Sequence, residues 1–241
     1  MSVPDPSDTI AANLARVRDR IAVACRRRGR APHGVELIAV SKTFPAEAVR
    51  EAVEAGQALF GESRLQEAES KIALLPGSLR WHFIGRVQRN KVRRMLPMFE
   101  AIHGVDSLRL AAYMDGVAAE LGLFPKIFLQ VNIGGEQTKG GFEPDEIMRE
   151  VAEIFALPRL EVLGLMCIPP AGREAEDARP WFVAMRKLRD EIEKKHSTPL
   201  PALSMGMSGD FEVAVEEGAT HVRVGSSIFG ARAYRVDGEL G

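Results

Sequence analysis

The sequence predicts an α/β fold, a single (β/α)8 TIM barrel with one extra helix before the first strand. Three observations carry that prediction. Short apolar runs alternate with amphipathic segments along nearly the whole chain, and alternating β and α elements give a parallel sheet with right-handed crossovers. Eight such units fit into 241 residues, the usual size of a closed barrel of this kind. No linker rich in Pro, Gly or Ser divides the chain, so residues 1–241 read as one domain with residues 1–6 as a loose tail. A doubly wound open sheet is the structural alternative, and the count of eight favours the barrel.

The elements follow in order. Ser7 or Asp8 is placed to cap a first helix, in which Ile10, Leu14, Val17 and Ile21 form one apolar stripe. Arg26, Arg27 and Arg28 suit the negative end of its dipole as a solvated helix end, and Gly29 with Pro32 stops it. Leu37 to Ser41 is a short apolar run that reads as a strand buried on both faces, and Lys42 follows it directly. Pro45 opens the next helix, whose inner face is Ala48, Val49, Ala52 and Val53.

The same alternation then repeats. Strands are expected near 57–62, 79–85, 101–106, 126–133, 160–168, 201–205 and 221–225. Helices are expected near 63–75, 87–95, 107–121, 144–156, 174–195 and 209–217, with Asp106 or Ser107 as one cap. The segment from Gly134 to Gly141 is the most flexible-looking loop.

Composition removes several function classes. The formal net charge is −1, so no global field draws the chain to nucleic acid or anionic lipid. No apolar run approaches a membrane span, and the N-terminus lacks the apolar core of a signal peptide. Cys25 and Cys167 lie far apart with no CxxC pattern, which argues against a disulfide framework or a zinc site. A cytoplasmic protein without a metal follows as the expectation.

In a barrel the functional groups gather at the carboxyl ends of the strands. Two small-residue turns stand at the last two ends, Gly206 to Asp210 and Val224 to Ser227. Each alone is an ordinary turn. Together, at the strand pair where barrels often hold phosphate, Ser208, Gly225 and Ser226 point to a phosphate cradle. Arg223 alternates with Val222 and Val224, so it faces the opposite way, into the bore. There it is either a structural ion pair or a donor to a ligand heteroatom.

Lys42 alone reads as a solvated strand end. Opposite a phosphate cradle it becomes a candidate for a Schiff base, because a partly buried amine more readily stays neutral and nucleophilic. Lysine, phosphate cradle and an arginine near a ring nitrogen form the binding logic of pyridoxal 5′-phosphate. His82 is either a ligand contact or a satisfied core histidine, while His103, His221 and Cys167 read as core. Five basic residues fall between Arg86 and Arg94. They read as a solvated helix face or, more sharply, as a positive rim that attracts anions.

Seven ordered motifs carry a resemblance. They are AVSKT at 39–43, GES-x-x-QE at 61–67, WHFIG-x-x-Q-x-NK at 81–91, QVNI at 130–133, GLM-x-IPP at 164–170, LSMGMS-x-D at 203–210 and VRVGSSIFGAR at 222–232. The chain resembles the YggS/PROSC-type pyridoxal phosphate homeostasis proteins over almost its whole length. The resemblance implies a barrel like the N-terminal domain of alanine racemase, with pyridoxal 5′-phosphate held as a Schiff base on Lys42. It also implies phosphate contacts from Ser208, Gly225 and Ser226, a pyridine-nitrogen partner in Arg223 and a cofactor-lining Met166. Three positions depart from the usual pattern: Ser63 stands where Asn is common, Arg89 where Ser is common, and Ser226 where Thr is common. Ser226 keeps the hydroxyl, whereas Ser63 leaves any ligand role there open.

Two function classes follow. One is a non-catalytic carrier in intracellular vitamin B6 homeostasis, a monomer whose partners beyond the cofactor are apo-enzymes that require it. The other is an amino-acid racemase, which needs an acid/base on each face of the cofactor adduct. Barrel racemases of this type draw the second group, a tyrosine, from an extra β domain. The only tyrosines here are Tyr113, inside an outer helix, and Tyr234, in the tail. The carrier is therefore favoured, with no catalytic residue assigned.

Overall fold

The computed structural model describes residues 9–136 and 138–230. Eight parallel strands close in chain order into one barrel, with β1 pairing both β2 and β8. The strands are β1 (Glu36–Val40), β2 (Leu59–Glu62), β3 (Arg80–Phe83), β4 (Ala101–Val105), β5 (Lys126–Val131), β6 (Glu161–Cys167), β7 (Ala202–Met207) and β8 (His221–Val224). The helices are α1 (Ile10–Arg27), α2 (Ala46–Glu54), α3 (Leu65–Ile72), α4 (Val92–Met95), α5 (Leu108–Leu121), α6 (Pro144–Phe155), α7 (Arg179–His196), α8 (Phe211–Glu216) and α9 (Ser226–Phe229). The closed order rules out the open sheet, in which β1 and β8 would not pair.

The expected α1 stripe is the one that buries: Leu14, Val17 and Ile21 pack in the core. Among the described residues its cap is Thr9, whose hydroxyl accepts the Ala12 amide at 3.2 Å; Ser7 and Asp8 lie outside the described residues. The arginines at its end are more than solvated. Arg27 and Arg28 pair with Glu216 and Glu217 at the end of α8, at 3.1 and 3.2 Å.

Three elements differ from expectation. The helix expected over 87–95 is a 3₁₀ turn at Arg89–Lys91 followed by the single turn of α4, because no side chain caps its start and Lys91 N bonds Gln88 O at 2.9 Å. β7 runs on to Met207, two residues past its expected end. The short α9 after β8 has too few residues to show a helical period. The loop at 134–141 is tied down by Asn132, which donates to Glu136 O at 3.1 Å and to the Glu143 carboxylate at 2.8 Å.

Apolar packing divides in two. The large cluster lies between barrel and helices and includes Phe60, Ile102, Ile127, Leu165, Leu203, Val222 and Val224. The bore holds two smaller patches, Ile38, Val40 and Leu59 on one side and Ala101, Phe128, Met166 and Ala202 on the other. No described helix is long and apolar enough to cross a membrane.

Candidate functional site

The side-chain period of two along β1 sends Ile38 and Val40 into the bore and Ser41 outward. Lys42 continues the inward phase and stands at the mouth, half-buried. It lines two adjoining cavities, which also share Ile84 and Ile168. One, of about 260 Å³, includes Met207, Ser208, Gly209, Arg223, Gly225 and Ser226. The other, of about 280 Å³, includes Ser63, Arg86, Asp106, Gln130, Asn132 and Lys139.

The first cavity is built by the turns after β7 and β8. Ser208 Oγ accepts the amides of Gly225 at 3.1 Å and Ser227 at 3.4 Å, which ties the two turns together. Asp210 steadies the first turn by accepting the Met207 amide at 2.6 Å, and burial raises its carboxyl pKa. Gly206 has φ of +94°, and a Cβ there would stand 2.6 Å from the Ala214 Cβ and 2.9 Å from the Phe211 Cα. A side chain is excluded by both backbone conformation and space.

Arg223 forms the floor. Its guanidinium donates to Ser204 Oγ at 2.7 Å and to the Cys167 carbonyl at 2.8 Å. Burial lowers its pKa from the ordinary guanidinium range, yet an arginine still offers only donors. The chain of contacts continues downward. Ser204 Oγ lies 2.8 Å from His103 Nδ1, and His103 Nε2 lies 3.0 Å from His82 Nδ1. Ser204 Oγ accepts from Arg223, and the two imidazoles extend this line of polar contacts from the guanidinium into the bore. His82 Nε2 ends the line, with no hydrogen-bond partner among the described residues. Burial, with His221 nearby, holds the His82 pKa down to about 3. Burial, with His82 and Arg223 adding to it, keeps His103 well below the ordinary range. Both rings are neutral at pH 7.

Of the residues selected from sequence, Lys42, Ser208, Arg223, Gly225 and Ser226 therefore meet at one cavity. His82 and Met166 do not line it. His82 sits deeper in the bore, and Met166 packs in the bore patch with Phe128 and Ile168. His103 and Cys167 take the core positions expected of them. Tyr113 lies on α5 with the Arg89 guanidinium 4.4 Å from its ring centroid; Tyr234 lies outside the described residues.

A second layer went unrecognised in the sequence. Glu62 ends β2 facing outward, fully buried beneath α3. Its Oε1 accepts the Ser41 hydroxyl and the Lys71 ammonium, each at 2.7 Å. Lys71 also donates to the Ser41 carbonyl at 2.7 Å and to Glu67 at 2.8 Å, and Glu67 accepts the Thr43 amide. Burial raises the Glu62 pKa against the opposing pull of Lys71. The cluster grips the backbone on both sides of Lys42. Thr43 there has φ of +72°, a strained value for a β-branched residue that persists only when its surroundings enforce it. The Glu67–Lys71 pair at helical spacing of four was visible in the sequence; its third partner, Glu62, depends on how α3 docks.

The described barrel can thus present a lysine amine, a donor-rich turn pair and a buried guanidinium to one small ligand. A family model described as alanine racemase, N-terminal domain, matches residues 8–233. The pyridoxal phosphate homeostasis protein of Aquifex aeolicus is 45% identical over 222 residues, covering 92% of this chain and 97% of that protein. Its namesake in Escherichia coli K12 is 43% identical over 234 residues, covering 93% and 97%. Among solved structures, PipY of Synechococcus elongatus with PLP bound superposes with a TM-score of 0.83 at 41% identity, covering 92% of this chain and all of that one. Alanine racemase of Clostridium difficile shares the fold, with a TM-score of 0.71 at 15% identity over 58% of its length.

Proposed function

This chain belongs to the alanine racemase N-terminal domain family and, within it, to the pyridoxal phosphate homeostasis proteins, and on that premise we propose that it holds pyridoxal 5′-phosphate at Lys42 as a carrier. One observation carries the reading: Lys42, Ser208, Gly225, Ser226 and Arg223 line a single cavity of about 260 Å³. The residues suit the cofactor's chemistry, with an amine at one edge, a hydroxyl and amide cradle at another and a buried donor below. When bound, pyridoxal 5′-phosphate supplies an aldehyde carbon to the Lys42 amine.

The protein's own groups divide the work. Ser208, Gly225 and Ser226 hold the phosphate in the paired turns. Arg223 donates toward the ring nitrogen and keeps that nitrogen an acceptor, because a guanidinium has no proton acceptor of its own. Ser204, His103 and His82 hold Arg223 from beneath, and Met166 supports the floor. The Glu62–Lys71–Glu67 cluster fixes the turn that aims Lys42.

The carrier reading extends to the absence of turnover. Racemisation needs an acid/base on each face, and among the described residues Tyr113 stands away from the cavity on α5. In this reading the protein is a cytoplasmic, single-domain monomer that passes the cofactor to apo-enzymes.

Borohydride reduction of the loaded protein, followed by peptide mass mapping, is the test. An adduct on Lys42, together with no turnover across a panel of amino acids, is expected. An adduct on another lysine, or none, overturns the site; turnover that disappears in Lys42→Ala overturns the carrier.

A further inference from the structure

The basic segment at 86–94 sorts itself by partner. Arg93 pairs with Glu120, Arg94 with Glu69, and Arg89 lies over the Tyr113 ring. For the side chains of Arg86 and Lys91, and of Arg64 across from them, no hydrogen bond or ion pair is found among the described residues. These three line one cavity of about 310 Å³, beside the Lys42 site and distinct from the cradle at Ser208.

No acidic side chain lines that cavity. Ser63, Gln66 and Gln88 add neutral polar groups, and Phe83 and Met95, both buried, form an apolar wall. Three cations of one sign in a concavity with a low-dielectric wall focus a positive potential and raise the local concentration of anions. Arg64 and Arg86 are exposed and Lys91 is half-buried, so the three charges stay hydrated and open to a dissolved anion. Two guanidinium forks and an ammonium suit the oxygens of phosphate better than a single carboxylate, which would neutralise one charge of three. Arg64 is also the N-cap of α3 and makes no side-chain cap hydrogen bond, so the first-turn amides of that helix add donors on the same side. The volume is of small-molecule scale.

We propose that the cavity between α3 and the β3–α4 connection, lined by Arg64, Arg86 and Lys91, is a second anion site that binds a small, multiply charged phosphate compound. It does not depend on the Lys42 reading. Because Ser63 and Arg86 also line the adjoining lobe at Lys42, the two sites share a wall.

The test is calorimetric titration of pyrophosphate into the borohydride-reduced holoprotein, in which the cradle is filled, and into the untreated protein. Both are compared with Arg64→Ala/Lys91→Ala and with the milder Lys91→Gln, with thermal melts as a check of folding. Saturable binding in both preparations, about tenfold or more weaker in the double variant while pyridoxal 5′-phosphate loading is unchanged, is expected. Binding that vanishes on reduction of the holoprotein places pyrophosphate in the cradle and overturns the proposal. Equal affinity in the variants, or equal competition by acetate at matched ionic strength, overturns it too. Failure to form any Lys42 adduct defeats the carrier reading alone, since the variant comparison in untreated protein still reports on this cavity.

Discussion

The Ser208 hydroxyl accepts the amide proton of Gly225 at 3.1 Å, across a gap of 17 residues. That contact locks the turn after β7 to the turn after β8 and makes one cradle out of two loops. Ser208→Ala removes the clamp together with a hydroxyl. The expected result is roughly a tenfold loss in affinity for pyridoxal 5′-phosphate, the scale of one polar contact, while the Lys42 adduct still forms. Equilibrium dialysis measures it, and unchanged affinity would separate the cradle from phosphate binding.

Lys71 neutralises two carboxylates behind Lys42, and its side chain is only 6% exposed. Lys71→Met leaves Glu62 buried and uncompensated, for an expected loss of about 3–5 kcal/mol in denaturant unfolding. Pairing it with Glu62→Gln recovers part of that loss, because the stranded charge is gone. A double variant no more stable than Lys71→Met would show that packing, not charge, sets the cost.

Acid stability tests the histidine chain. The folded state holds His82 near a pKa of about 3, below its ordinary 6.5. Between those values the unfolded chain binds the proton and the folded chain does not, so stability rises with pH through that window. It is fully present above about pH 6.5 and drains away as pH falls toward 3. Glu36, held down to about 2 chiefly by its hydrogen bond to His221 and also by Arg80, adds to the same limb. In urea titrations from pH 7 to pH 4, His82→Asn is expected to flatten the slope by up to about 1.4 kcal/mol per pH unit. A slope equal to wild type would place the acid sensitivity elsewhere.

Gly206 tests backbone against function. Gly206→Ala forces a Cβ into a left-handed position that already abuts Ala214 and Phe211. An expected loss of about 2–4 kcal/mol comes with a displaced Ser208 and weaker cofactor retention. A thermal melt and a cofactor titration on the same variant read both effects. Full stability with full affinity would mean that the turn tolerates another conformation.

Much of the barrel was legible in the chain because each unit announces itself locally. Apolar runs of strand length alternate with stripes of helical period, and side-chain phase along β8 sent Arg223 inward before any fold was built. The apolar run before Lys42 set that residue at the carboxyl end of a strand, on the functional rim. The helix expected over 87–95 failed for a local reason as well: its amphipathic pattern had no capping residue, and the segment wound into a 3₁₀ turn instead. The seven motifs together carried the cofactor assignment, though His82 and Met166 proved to sit below the cavity rather than in its wall.

What the sequence by itself determined was the set of units, their order and which side chains point into the bore, since period and phase are properties of neighbouring residues. Closure of β1 onto β8 decided the rest. Only that pairing brings Lys42 beside turns more than 160 residues later, and only the docking of α3 buries Glu62 against Lys71. The docking of α3 and α5 likewise gives Arg94 and Arg93 their partners, Glu69 and Glu120, while Arg86 and Lys91 line a cavity, because ion pairing depends on distances that no local pattern encodes.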